Sequence, residues 1–82
     1  MKIYKYKNGK CNLAGTAIKE RREKMKKSQE QLVAELQLLG LDITQKAISR
    51  IETGDRVIPD YELLYFSEVL HISVLNLLKT NY

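Results

Sequence analysis

Eighty-two residues with a single cysteine and a formal net charge of +4 describe one small domain, too short to enclose a roomy active-site cavity and unable to form an intramolecular disulfide. Residues 1–27 carry eight lysines and two arginines against Glu20 and Glu23, a net of +8, whereas residues 28–82 carry four basic against eight acidic side chains, a net of −4. That asymmetry fits a polyanion met on one side of the molecule, or a solvated basic tail.

Residues 1–11 place Ile3, Tyr4 and Tyr6 among lysines with no helical period, which predicts a basic N-terminal arm or a short strand. The segment holds no apolar run of signal-peptide type. No stretch of the sequence approaches the ~20 apolar residues needed to cross a bilayer. With no disulfide staple, a reducing compartment is expected, so the chain reads as cytoplasmic and not membrane-bound.

From residue 12 to 82 the pattern is helical. Asn12 or Thr16 is the candidate cap of a first helix reaching about Lys27, with Leu13, Ala17, Ile18 and Met25 inward and Arg22 on the same face. Ser28 and Gln31 have the spacing of a capping box. The second helix then turns Leu32, Val33, Leu36 and Leu39 inward and stops at Gly40. Thr44 caps a third helix whose buried stripe is Ala47, Ile48 and Ile51, and Gly54 ends it. Pro59-Asp60 opens a fourth, with Asp60 as cap and Leu63, Phe66, Ser67 and Leu70 inward. Ser73 caps a short last helix with Leu75 and Leu78 inward. Five helices joined by short loops make the chain all-α.

The third helix carries the chemistry. Its outward face holds Gln45, Lys46, Ser49, Arg50 and Thr53, amides, hydroxyls and cations without a carboxylate until Glu52. Glutamine pairs bidentately with adenine, and arginine or lysine with guanine, in the major groove. A solvated amphipathic helix has the same polarity, and the pattern alone fits both. An enzyme lacks its parts here: there is no P-loop and no nucleophile–base–orienter set. His71 and Cys11, each alone, make no metal site, and no cofactor is expected.

Five short motifs occur in a fixed order: Ile18–Arg22 (IKERR), Ser28–Leu32 (SQEQL), Ile48–Gly54 (ISRIETG), Pro59-Asp60, and Leu70–Ser73 (LHIS). In that order and spacing, the chain from Asn12 to Leu78 resembles the lambda-repressor/Cro (XRE) family of helix-turn-helix transcription regulators. The resemblance implies a five-helix DNA-binding domain whose helix-turn-helix is formed by the second and third helices. It implies base contacts from Gln45, Lys46, Arg50 and Ser49, and backbone contacts from Gln29, Thr44, Thr53 and Arg56. Gln29 is also expected to brace Gln45, and the lysines at 2, 5, 7 and 10 to follow phosphates as an arm.

Arg22 and Glu52 are expected instead as a structural ion pair tying the third helix to the first. Gln37–Ile43 is longer than the family's tight turn, which implies a second helix extended by roughly one turn and a looser hinge. His71 stands where the family often has a left-handed glycine.

Repression by promoter occlusion is the expected activity, because no activation or effector domain accompanies the DNA reader in the sequence. Val74, Leu75, Leu77, Leu78 and Tyr82 exceed what one face of a short helix buries. They read either as local packing or, with Tyr61 and Tyr65, as a homodimer seam. A two-fold dimer would demand a near-palindromic operator in double-stranded DNA. The alternative is an antitoxin-like or accessory module whose surface meets a protein partner.

Overall fold

The computed structural model describes residues 5–6 and 9–79. Within them lie five α-helices, α1 Gly15–Lys24, α2 Gln29–Leu38, α3 Gln45–Thr53, α4 Asp60–Leu70 and α5 Val74–Leu78, and no strand. The expectations for Lys2, Ile3, Tyr4, Lys7 and Tyr82 fall outside the described residues.

Local chemistry starts most of the helices. Ser28 Oγ accepts from the Gln31 N–H at 3.0 Å, and Gln31 Oε1 accepts from the Ser28 N–H at 2.7 Å, a complete capping box. Thr44 and Ser73 accept likewise from Ala47 and Asn76. At α1 the cap position is Ala14, not Asn12 or Thr16. Asn12 still serves the helix start, because its Oδ1 accepts from the Gly15 N–H at 2.8 Å.

Helix α1 ends at Lys24, short of the expected Lys27. Lys26 turns left-handed with φ 58°, and Arg22 Nη1 donates to the Lys27 carbonyl at 2.8 Å. Asp60, expected as the cap of α4, is its first helical residue, and Pro59 stands at the cap. A carboxylate in that first turn still opposes the helix dipole favourably.

One core joins all five helices. Ile18 of α1, Leu32 and Leu36 of α2, Ile48 and Ile51 of α3, Phe66 and Leu70 of α4, and Leu77 of α5 are each 0% exposed. Leu39, expected inward, is 40% exposed. The helix stops at Leu38 and the chain turns through Gly40, so Leu41 and Ile43 take the inward places instead. The α2–α3 connection is therefore not a loose hinge. Its two apolar side chains are buried, and Gln37 Nε2 donates to the Ile43 carbonyl at 3.1 Å.

In α5 the inward stripe is Val74, Leu77 and Leu78, spaced i, i+3, i+4, which leaves Leu75 outside at 69% exposure. Leu75 is thus not inward, and Leu77 is core and not dimer surface. At the other end of α4, His71 adopts the left-handed conformation, φ 53°. Arg21 caps that helix end, donating from Nε to the Leu70 carbonyl at 2.8 Å and from Nη2 to the His71 carbonyl at 3.3 Å.

Candidate nucleic-acid interface

Helix α3 is divided lengthwise by its own sequence. Ile48 and Ile51 point into the core, Ala47 lies half-buried beside them, and Gln45, Lys46 and Arg50 are exposed, with Ser49 half-buried. Thr44 Oγ1 accepts from the Ala47 N–H at 3.1 Å, which leaves the hydroxyl proton to donate elsewhere. The first turn of the helix therefore presents an amide, an ammonium group and unpaired backbone N–H groups together.

Glu52, one residue before the end of α3, faces inward with its side chain 3% exposed. Arg22 Nε donates to its Oε2 at 2.7 Å and Nη2 to its Oε1 at 3.0 Å. Such a bidentate pair between α1 and α3 locks the helix face in rotation as well as position. Hydrogen bonding to Glu52 raises the Arg22 pKa, against the opposing effect of burial. On the arginine's side, the stabilisation that this upward shift represents is present below the ordinary arginine pKa and is lost as pH rises through the raised one. Gln29 also reaches this carboxylate, with Nε2 donating to Oε1 at 3.0 Å. Its Oε1 in turn accepts from Gln45 Nε2 at 3.5 Å.

Polar side chains at the far end of α3 are engaged by the protein itself. Thr53 Oγ1 lies 3.2 Å from the Arg50 carbonyl and 2.9 Å from Asp55 Oδ2. Arg50 Nη2 leans on the Asp55 carbonyl at 3.4 Å. Arg56, expected on the DNA backbone, pairs instead with Glu62, from Nη1 to Oε1 at 2.8 Å and Nη2 to Oε2 at 3.2 Å. Hydrogen bonding to Glu62 raises the Arg56 pKa, and the pair ties the turn after α3 to α4. The Glu62 side chain is 6% exposed.

The segment before α1 clasps this same end. Asn12 Nδ2 donates to the Ile51 carbonyl at 3.0 Å and to the Arg56 carbonyl at 2.8 Å. The Cys11 N–H donates to the Gly54 carbonyl at 2.8 Å. Two glycines permit the approach. A Cβ on Gly15 would run into the Ile51 carbonyl, and Gly54, with φ 87°, lies under the side chain of Lys10. The Lys10 carbonyl accepts from the Tyr6 N–H at 2.9 Å, so the described part of the N-terminal segment turns back on itself beside α3.

The sequence marked Asn12 only as a candidate helix cap, and gave Arg21 and Glu62 no role. For Glu62 a signal existed: positions 62, 66, 69 and 70 follow helical spacing on the buried face of α4. Asn12 and Arg21 act on backbone carbonyls far along the chain, and no local pattern announces that.

Away from α3, apolar side chains reach the surface. Tyr61 and Leu64 of α4 are 56% and 65% exposed, Leu38 at the end of α2 is 87% exposed, and Tyr65 and Val74 are half-buried. A shallow apolar cavity of about 300 Å³ lies between the segment before α1 and α4, lined among others by Cys11, Val57, Leu63 and Leu78. No helix among the described residues is long and apolar enough to cross a membrane. Among those residues no group of three His, Cys, Asp or Glu side chains is placed to hold a metal ion.

No curated protein and no solved structure matches the chain. A family model described as Helix-turn-helix matches residues 18–74, most of the sequence and the whole of α2, α3 and α4. With that match and five helices arranged around an exposed α3, the chain belongs to the helix-turn-helix family of lambda-repressor/Cro-like (XRE) DNA-binding regulators.

Proposed function

We propose that this protein binds specific sequences in double-stranded DNA, reads the major groove with α3, and represses transcription by occupying a promoter. The outward face of α3 carries the reading: Gln45, Lys46 and Arg50 are exposed, and the helix's own carboxylate, Glu52, is turned into the protein. Glutamine matches the N6 and N7 edge of adenine, and lysine or arginine the O6 and N7 edge of guanine. Ser49 has the reach of a secondary contact. Gln29 and Thr44 are assigned to phosphates; Arg56 is left out because Glu62 holds it, and Thr53 because its one hydroxyl proton is engaged with Asp55 or the Arg50 carbonyl. Lys10, whose side chain lies over Gly54 at the end of α3, and Lys5 add phosphate contacts.

A homodimer on a near-palindromic operator follows from this reading, with recognition helices about 34 Å apart, one turn of B-DNA. The exposed Tyr61 and Leu64 with half-buried Tyr65 are its contact surface, in place of Leu77. The same apolar stripe supports a second reading, an antitoxin-like or accessory module that covers it with a different protein.

Selection of bound sequences from random double-stranded DNA, followed by gel shifts across a salt series, tests both. Enriched inverted repeats and affinity that falls steeply with salt are expected. Binding indifferent to sequence, or insensitive to salt, overturns direct readout. Enriched single half-sites with a monomer in light scattering at tens of micromolar favour the accessory reading.

A further inference from the structure

A carboxylate and two amides run in series from the core to the reading face. Arg22 donates to both oxygens of Glu52, Glu52 Oε1 accepts from Gln29 Nε2 at 3.0 Å, and Gln29 Oε1 accepts from Gln45 Nε2 at 3.5 Å, the longest link. The inner end is buried, with the Glu52 side chain 3% exposed, and the outer end is in solvent.

This series has a direction. A carboxylate accepts and cannot donate, so Gln29 meets Glu52 with its amino group. Reversing that amide would set two acceptor oxygens against each other in a partly buried site. Once the nitrogen is committed, the Gln29 oxygen is the end turned to Gln45, and Gln45 answers with its own amino group. A surface glutamine without such a neighbour has two nearly isosteric amide orientations. Gln45 instead offers Oε1 and its second N–H along one edge in a set order, acceptor and donor, which match the N6 amino group and N7 of adenine.

We infer that Glu52 is a specificity-positioning residue: through Gln29 it sets which way the Gln45 amide faces, and with it the base that α3 selects there. The inference rests on the DNA-reading proposal above and deepens it. It gives Glu52 a role beyond its pairing with Arg22, because the contact with Gln29 is additional to that pair. It also separates two uses of Gln29. One N–H donates to Glu52 and so turns the Gln29 oxygen to Gln45, while the other is available to a phosphate.

The test compares wild type with Gln29→Met, Glu52→Gln and the double variant Gln29→Glu/Glu52→Gln. Gln29→Met keeps the Arg22–Glu52 pair, so it reads the relay even where Glu52→Gln fails to fold. In the free protein, both single substitutions are expected to shift the side-chain amide resonances of Gln45 by NMR. In binding to operators varied at the base opposite Gln45, each is expected to lose about tenfold of the preference for adenine. Preference at the positions read by Lys46 and Arg50 stays as in wild type.

The double variant exchanges acid and amide and restores the donor–acceptor order. Adenine preference should return, while affinity falls evenly across sequences because the carboxylate moved to position 29 repels phosphate. A folded Gln29→Met with wild-type adenine preference, or with unmoved Gln45 amide resonances, overturns the inference. A wild-type protein without sequence preference overturns the DNA-reading proposal and the base-selecting role together. The amide resonances then report separately whether Glu52 orients Gln45.

Discussion

At the start of α3 the polar side chains reach outward, Gln45 and Lys46 into solvent, with Gln45 tethered through Gln29 alone. At its end they turn back on the protein: Thr53 toward Asp55, Glu52 to Arg22, and the Ile51 carbonyl to Asn12. One helix thus has an end with hydrogen-bonding capacity left for a partner and an end that holds its position. Substitutions should separate along the same line. Those at the closed end cost stability, and those at the open end cost selectivity.

The largest effect is expected at the core pair. Glu52→Ala leaves the Arg22 guanidinium, with its side chain 11% exposed, without its carboxylate, and should lower unfolding free energy by about 3–5 kcal/mol in denaturant titrations. A wild-type midpoint would show that α3 is not anchored there. Next is Asn12→Ala, which strips two hydrogen bonds donated to carbonyls and the one accepted from the Gly15 N–H. A loss of about 2–3 kcal/mol is expected from the partly buried groups left without partners. Anything within ~0.5 kcal/mol of wild type would break the claim that the pre-helix segment holds the end of α3.

At the open end, Lys46→Ala should leave thermal unfolding unchanged and reduce discrimination at one operator position by about 1–3 kcal/mol, read by competition gel shifts. Equal loss at every position would make Lys46 a phosphate contact. Smallest of all is Lys27→Ala. It removes the 2.6 Å ion pair with Glu35, whose side chain is 38% exposed, and should shift stability by no more than about 1 kcal/mol, and less at high salt.

The closed end was the less legible in the sequence. The Ser28/Gln31 capping box, the Thr44 and Ser73 caps and the Gly54 stop are readable because each is decided by residues three or four apart. The outward face of α3 is readable for the same reason, since helical period alone sorts Gln45, Lys46 and Arg50 from Ile48 and Ile51. Arg56 is different. The family resemblance implied a phosphate contact for it, yet its partner stands on the next helix, and Glu62 was hidden among the polar residues opening α4. In α5 five residues give too little period to set the phase, and Leu75 and Leu77 changed places between surface and core.

Local spacing, then, determined the number and order of the helices, three of their caps, and the polar face centred on Gln45, Lys46 and Arg50, because those depend on contacts within one or two turns. Tertiary structure alone decided which cations remain for a ligand. Arg56 is drawn to Glu62, and Arg21 to the carbonyls ending α4, because a buried carboxylate or an orphaned carbonyl competes for the same donors a phosphate would use. It also decided that Glu52 would face Gln29 as well as Arg22. That depends on how α1, α2 and α3 meet, which no single helix specifies.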